Sequence, residues 1–92
     1  MMIAHMETDY KYYVLRITKD LLNDVVLVCN YGSKHNRYAN QQIIGIESLQ
    51  QGCKVALQKI KLRYQHGYKA VFLSPYLKQT HKEKHEPKLR QS

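Results

Sequence analysis

The chain has 92 residues, 43% of them hydrophobic, and carries 15 Lys and Arg against 7 Asp and Glu, a formal net charge of +8. A chain of this length makes one small domain that withdraws little more than about 60% of its unfolded surface from water. Two cysteines, Cys29 and Cys53, are too few for a disulfide framework and lack metal-type spacing, and the longest apolar run, Val25–Cys29, is far short of the ~20 residues that span a bilayer.

The N-terminal segment, residues 1–9, has neither a basic n-region nor an apolar h-region, so no secretory signal is read there and a reduced, cytoplasmic location is expected. Lys11–Thr18 (KYYVLRIT) is aromatic and β-branched, and its alternation places Tyr13, Leu15 and Ile17 on one face. Lys19–Asp24 (KDLLND) breaks that run with turn formers, and Val25–Asn30 resumes it, which predicts an antiparallel hairpin. Tyr31–Asn40 is polar and reads as a loop turning at Gly32; Gln42–Ile46 (QIIGI) reads as a third strand, with Gly45 marking a bulge or a close backbone approach.

After Glu47 the period changes. Ser48 with Gln51 three residues on forms a capping box, and Leu49, Cys53, Ala56, Leu57, Ile60 and Tyr64 follow at helical spacing. Gly67 supplies a left-handed position that ends this helix of about five turns. Its opposite side carries Lys54, Lys59, Lys61 and Arg63 with no acid among them. Lys69–Leu73 (KAVFL) reads as a last strand stopped by Ser74-Pro75, and residues 76–92 as a basic, polar tail too poor in apolar residues to fold alone, apart from one helical turn. The elements together predict an α+β domain over residues 10–75: a small antiparallel sheet of about four strands with one long amphipathic helix packed on one face.

Charge is distributed unevenly. From Val25 to Ser74 the basic residues are Lys34, Arg37, Lys54, Lys59, Lys61, Arg63 and Lys69, against the single acid Glu47. Such an imbalance is the electrostatic footprint of a polyanion binder. Other chemistries find fewer residues. His81 and His85 are four apart, but Glu83 sits midway, unlike the zinc-protease arrangement, so these side chains read as a solvated tail and no metal site is assigned. Nucleophilic or paired-carboxylate catalysis lacks its partners, since only one acid falls between residues 25 and 74 and no glycine-rich phosphate loop is present. No enzyme activity and no cofactor is expected. Lysine and arginine can attract phosphate, and Tyr31, at the end of an apolar run, either caps the core or offers a stacking surface to a base or sugar.

Residues 10–71 resemble the WGR domain in the order and spacing of short motifs: the strand KYYVLRI, the turn DLLND, the strand VVLV, a triplet at Tyr31, Gly32 and Ser33, then a strand, a helix, and a basic-x-x-x-Gly-Tyr close at Arg63, Gly67 and Tyr68, followed by Lys69. The resemblance implies a small antiparallel sheet with a helix on one face. It also implies a non-catalytic module that binds the sugar-phosphate backbone of DNA with little sequence specificity, is nucleoid-associated, and has no membrane partner. Tyr31 would lie against a sugar near a strand end, Gly32 would permit a tight turn, and Arg63 or its neighbours would face phosphate. Ser33 stands where the family has arginine; Lys34, His35 and Arg37 supply charge nearby but not at that position. The nucleic-acid-binding set read from the sequence is thus Tyr31, Gly32, Lys34, His35, Arg37, Lys54, Lys61, Arg63 and Lys69. The alternative is a protein-interaction adaptor on the same fold that has lost DNA-end binding.

Overall fold

The computed structural model describes residues 1–35, 37, 39–75 and 77. Its elements run β1 (Met2–Glu7), β2 (Lys11–Lys19), β3 (Val25–Ser33), β4 (Ala39–Gly45), α1 (Leu49–Gln65) and β5 (Lys69–Leu73). All strand pairs are antiparallel, in the order β4-β3-β2-β1-β5, and the helix packs on one face against β1, β2 and β3. This is the α+β architecture expected from the sequence, with five strands in place of about four.

The added strand is β1. A register shift between Met2 and Ala4 lets the adjacent Ile3 and Ala4 both turn inward, which erases the alternation by which a half-buried strand is read. The segment outside the expected domain thus lies between β2 and β5, where Ile3, Ala4 and Met6 are fully buried. At the other boundary, Leu77 is also buried in the core. The rest of the expected tail, residues 76 and 78–92, lies outside the described residues, and His81 and His85 with it.

In β2, Tyr13, Leu15 and Ile17 point into the core as their alternation requires, opposite Tyr31, Cys29 and Leu27 of β3. β3 explains its own unbroken apolar run. Leu27 and Cys29 face the helix, while Val26 and Val28 are buried on the other face among cross-strand neighbours such as Thr18, Arg16 and Ile43. The polar stretch read as a loop is shorter than expected. β3 continues through Ser33 and β4 begins at Ala39, because two adjacent strands satisfy their backbone groups in a ladder even where the side chains are polar. Gly45 causes no bulge: its pairing with Val26 continues the register, and nothing approaches the space a Cβ would take.

Ser48 caps α1, its hydroxyl accepting the Gln51 N–H at 3.1 Å, and Gln51 Oε1 accepts the Glu47 N–H at 2.6 Å, so the reciprocal bond of the box lands one residue early. The buried helix residues are Gly52, Cys53, Ala56 and Ile60. Leu49 and Tyr64, expected on the apolar face, are exposed, and Leu57 is half-buried. Small residues fill the centre because the helix lies close to the sheet: a Cβ on Gly52 would collide with the Ile46 side chain and crowd Ile17.

Candidate nucleic-acid interface

The basic-x-x-x-Gly-Tyr motif builds its geometry through the helix C-terminus. Gly67 takes φ +88°, a left-handed conformation that costs a glycine little. The chain then reverses so that Gly67 N–H donates to the Tyr64 carbonyl at 3.1 Å and Tyr68 N–H donates to the Arg63 carbonyl at 3.0 Å. These two bonds make a Schellman cap, in which the residue after the glycine folds back over the last helical turn. Tyr68 is buried by this reversal, and the Arg63 guanidinium comes to lie 5.5 Å from its ring centroid.

Arg63 reaches a second ring, that of Tyr13, at 4.8 Å. Tyr13 in turn sits edge-on to Tyr68 at 6.4 Å and tilted against Tyr31 at 5.9 Å. Burial, followed by the neighbouring Cys29 thiol, pushes the Tyr13 phenol well above its usual range, so it stays protonated. Tyr31 lies on the margin of this cluster, packed on Tyr13 along one side and open to solvent on the other, with 37% of its surface exposed. It belongs partly to the core and partly to the surface.

Arg63 has aromatic neighbours but no counter-ion among the described residues. Its Nε is buried without a hydrogen-bond partner, and no carboxylate of the described residues lies within ion-pair distance of it. The rings partly offset its desolvation, because their electron-rich faces attract a cation.

A second group of basic side chains lies at the same end of the sheet. Lys69, Glu7, Tyr12, Gly32 and Ala39 form one cross-strand row. Glu7 accepts Lys34 Nζ at 2.9 Å and His5 Nε2 at 2.9 Å. The hydrogen bond from Lys34, reinforced by the charge of Lys34 and the contact with His5, holds the Glu7 carboxyl below the usual carboxylate range despite some desolvation. Glu7, Tyr10, Lys34, Gly67, Lys69 and Val71 border an open recess of 440 Å³, and the His35 ring lies 5.8 Å from that of Tyr10.

The structure thus brings together Tyr31 and Arg63 on the helix side of the sheet, at the end where α1 terminates. Lys69 and the Glu7 carboxylate that Lys34 reaches lie at the same end, but their row alternates with that of Tyr13 and Tyr31 and so faces the opposite side. Arg37 is exposed in the connection between β3 and β4. Gly32 does not make a tight turn. It stands inside the ladder, paired with Tyr12 and Ala39. Ser33 makes the local turn instead, its hydroxyl accepting the His35 N–H at 3.2 Å. The single basic helix face also divides. Lys54 and Lys61, seven residues apart, share a solvent-facing stripe, whereas Lys59 and Arg63, four apart, lie on the flank nearer the sheet.

Sequence reasoning missed Tyr13 as a site residue and Glu7 as the partner of Lys34. An aromatic at the end of a buried strand face, opposite the triplet tyrosine, was the available signal for Tyr13. Glu7 gave none, because it depends on β1. Both cysteines are free and fully buried, and burial raises the Cys53 thiol above its ordinary value, away from nucleophilic reactivity. Among the described residues no three His, Cys, Asp or Glu side chains are arranged to hold a metal ion, and no helix is long and apolar enough to cross a membrane.

No family model, curated protein or solved structure matches this chain.

Proposed function

We propose that the protein is a non-catalytic nucleic-acid-binding module that grips the sugar-phosphate backbone of DNA at the Tyr31–Arg63 end of its sheet. The observation that carries this reading is the Arg63 guanidinium. It is a half-buried cation stacked on Tyr13 and Tyr68, without a carboxylate partner among the described residues, next to an aromatic ring that is open on one side. A cation oriented by rings but unpaired is suited to an anion supplied from outside, and phosphate suits the planar donors of arginine. The exposed side of Tyr31 adds a stacking surface for a sugar or base, a contact indifferent to base identity.

In this reading Arg63 faces one phosphate and Tyr31 the adjoining sugar, while Lys69, His35, Arg37 and, on release from Glu7, Lys34 reach the flanking backbone around the end of the sheet. Lys54 and Lys61 act from the solvent stripe of α1 as long-range attraction. The resemblance of residues 10–71 to the WGR domain agrees with this assignment at Tyr31 and Arg63, and Ser33 leaves the module without the family's arginine there.

The test is a binding titration against blunt duplex, nicked duplex, single-stranded DNA and RNA over a salt series. About 4–6 phosphate contacts predict a slope of log K against log salt of about −4 to −5 on duplex. Absent binding at low salt, or binding indifferent to salt, contradicts the proposal and leaves the adaptor reading.

A further inference from the structure

The two edges of the sheet are not alike. β5 is short, begins with Lys69, is followed by Pro75, and pairs with β1 through a register shift that leaves Val71 unmatched. A charge, a bulge and a nearby proline are the devices by which proteins blunt an edge against pairing. β4 has none of them. Its seven residues, ANQQIIG, contain no charge and no proline, and all except Ile44 are exposed. Its register with β3 runs without a break from Gly45 opposite Val26 to Ala39 opposite Gly32. Among the described residues, no strand pairs with its outer side. Ile43, 59% exposed, stands at the rim of the sheet beside the buried Val28, on the face away from the helix.

We infer that β4 is an interaction edge whose partner is β4 of a second copy of this chain, paired antiparallel about a two-fold axis at Gln42. The sequence of the strand carries the choice of occupant. Antiparallel pairing centred on Gln42 sets Ala39 against Gly45, Asn40 against Ile44 and Gln41 against Ile43, and no like charges meet. Gln42 faces itself, and two amides can satisfy each other because each holds both a donor and an acceptor. The two exposed Ile43 side chains become diagonal neighbours on the face away from the helices and cover each other from solvent. A charged peptide would find nothing on β4 to read. The arrangement is isologous and closes on itself: it gives a ten-stranded sheet whose remaining edges are the two guarded β5 strands. One pair of edge strands buries less than the ~800 Å² per partner of a standard interface, so the dimer is weak and in exchange with monomer.

Sedimentation velocity over a concentration series, without nucleic acid, is expected to show a monomer–dimer equilibrium, and Ile43→Lys is expected to abolish it with an unchanged circular dichroism spectrum. A second readout stands even if that variant fails to fold. Directly opposed residues across an antiparallel pair have Cα atoms about 4.5–5.5 Å apart, within disulfide range. Because Cys29 stands directly opposite Gln42 on β3 and would compete within one chain, both variants carry Cys29→Ala. On that background Gln42→Cys should form a disulfide-linked dimer under mild oxidation at least about tenfold faster than Val71→Cys on β5. A chain that stays monomeric at every concentration, or Gln42→Cys crosslinking no faster than Val71→Cys, overturns the inference. Because nucleic acid is absent from both measurements, neither outcome bears on the binding proposal.

Discussion

The Arg63 guanidinium lies 4.8 Å from the centre of the Tyr13 ring, and the Arg63 carbonyl accepts the N–H of Tyr68, whose own ring flanks the same guanidinium at 5.5 Å. One residue thus closes the helix with its backbone and, with its side chain, holds between two aromatics a charge that no carboxylate of the described residues pairs. The cap and the site share atoms, so altering either should be felt in the other.

Gly67 tests the cap. At φ +88° a Cβ is strained whatever space surrounds it, and the left-handed conformation costs an L-residue roughly 1–2 kcal/mol. Gly67→Ala is expected to lower the melting temperature by an amount equivalent to that cost and to weaken DNA binding as Tyr68 loses its position over Arg63. Gly45→Ala, at a site with open space and no positive φ, serves as the control and should be close to neutral in thermal denaturation.

Arg63 tests the cation. Arg63→Lys keeps the charge but loses the planar group that lies against two rings, an interaction worth about 0.5–2 kcal/mol in a half-buried setting. Both Arg63→Lys and Arg63→Ala should weaken binding measured by fluorescence anisotropy. Arg63→Ala should also make the salt slope shallower by about 1, as expected for one lost phosphate contact.

Tyr31 separates surface from core. A ring stacked on a sugar or base contributes about 1–3 kcal/mol, roughly 5- to 150-fold in affinity. Tyr31→Ala should weaken DNA binding within that range and shift the melting transition little, because one side of the ring is already in solvent. Loss of stability with binding intact would assign the ring to the core and favour the adaptor.

Glu7 sets how much positive charge is free. Its carboxyl is held below the usual carboxylate range by Lys34 first and His5 after it. A depressed folded-state value means that this pair stabilises the fold above the ordinary carboxylate range and that the contribution is lost as pH falls through the folded value. Glu7→Gln should remove that acid-side dependence from thermal melts followed against pH. The same change releases Lys34 for phosphate, so duplex affinity should rise and the salt slope steepen by about 1.

Much of this architecture is legible in the chain because local signals and tertiary demands agree. Tyr13, Leu15 and Ile17 alternate and are buried; Ser48 and Gln51 cap the helix they announce; Gly67 ends it. Three features were not legible, each for a physical reason. The bulge in β1 turns neighbouring Ile3 and Ala4 to the same side, so no period-2 signal exists there. The start of β4, Ala39 and Asn40, is held by its ladder to β3 and not by burial, so it reads as part of the loop before the third strand. Helical spacing places Arg63 opposite Lys61, yet side-chain type alone grouped the two on one face. At the site, Tyr31 and Arg63 could be named from short motifs, whereas their meeting through Tyr13 requires the fold.

The location of the interface is the claim on which the functional account rests, and amide chemical-shift mapping of the ¹⁵N-labelled protein with a short blunt duplex tests it most directly. The account predicts that shifts concentrate at Tyr31–His35, Arg37 and Arg63–Lys69. The opposite hairpin end, where Asp20 and Asp24 stand with Leu21 and Leu22 exposed, should stay silent. Shifts centred on that acidic hairpin, or a spectrum unchanged by saturating duplex at low salt, would contradict it.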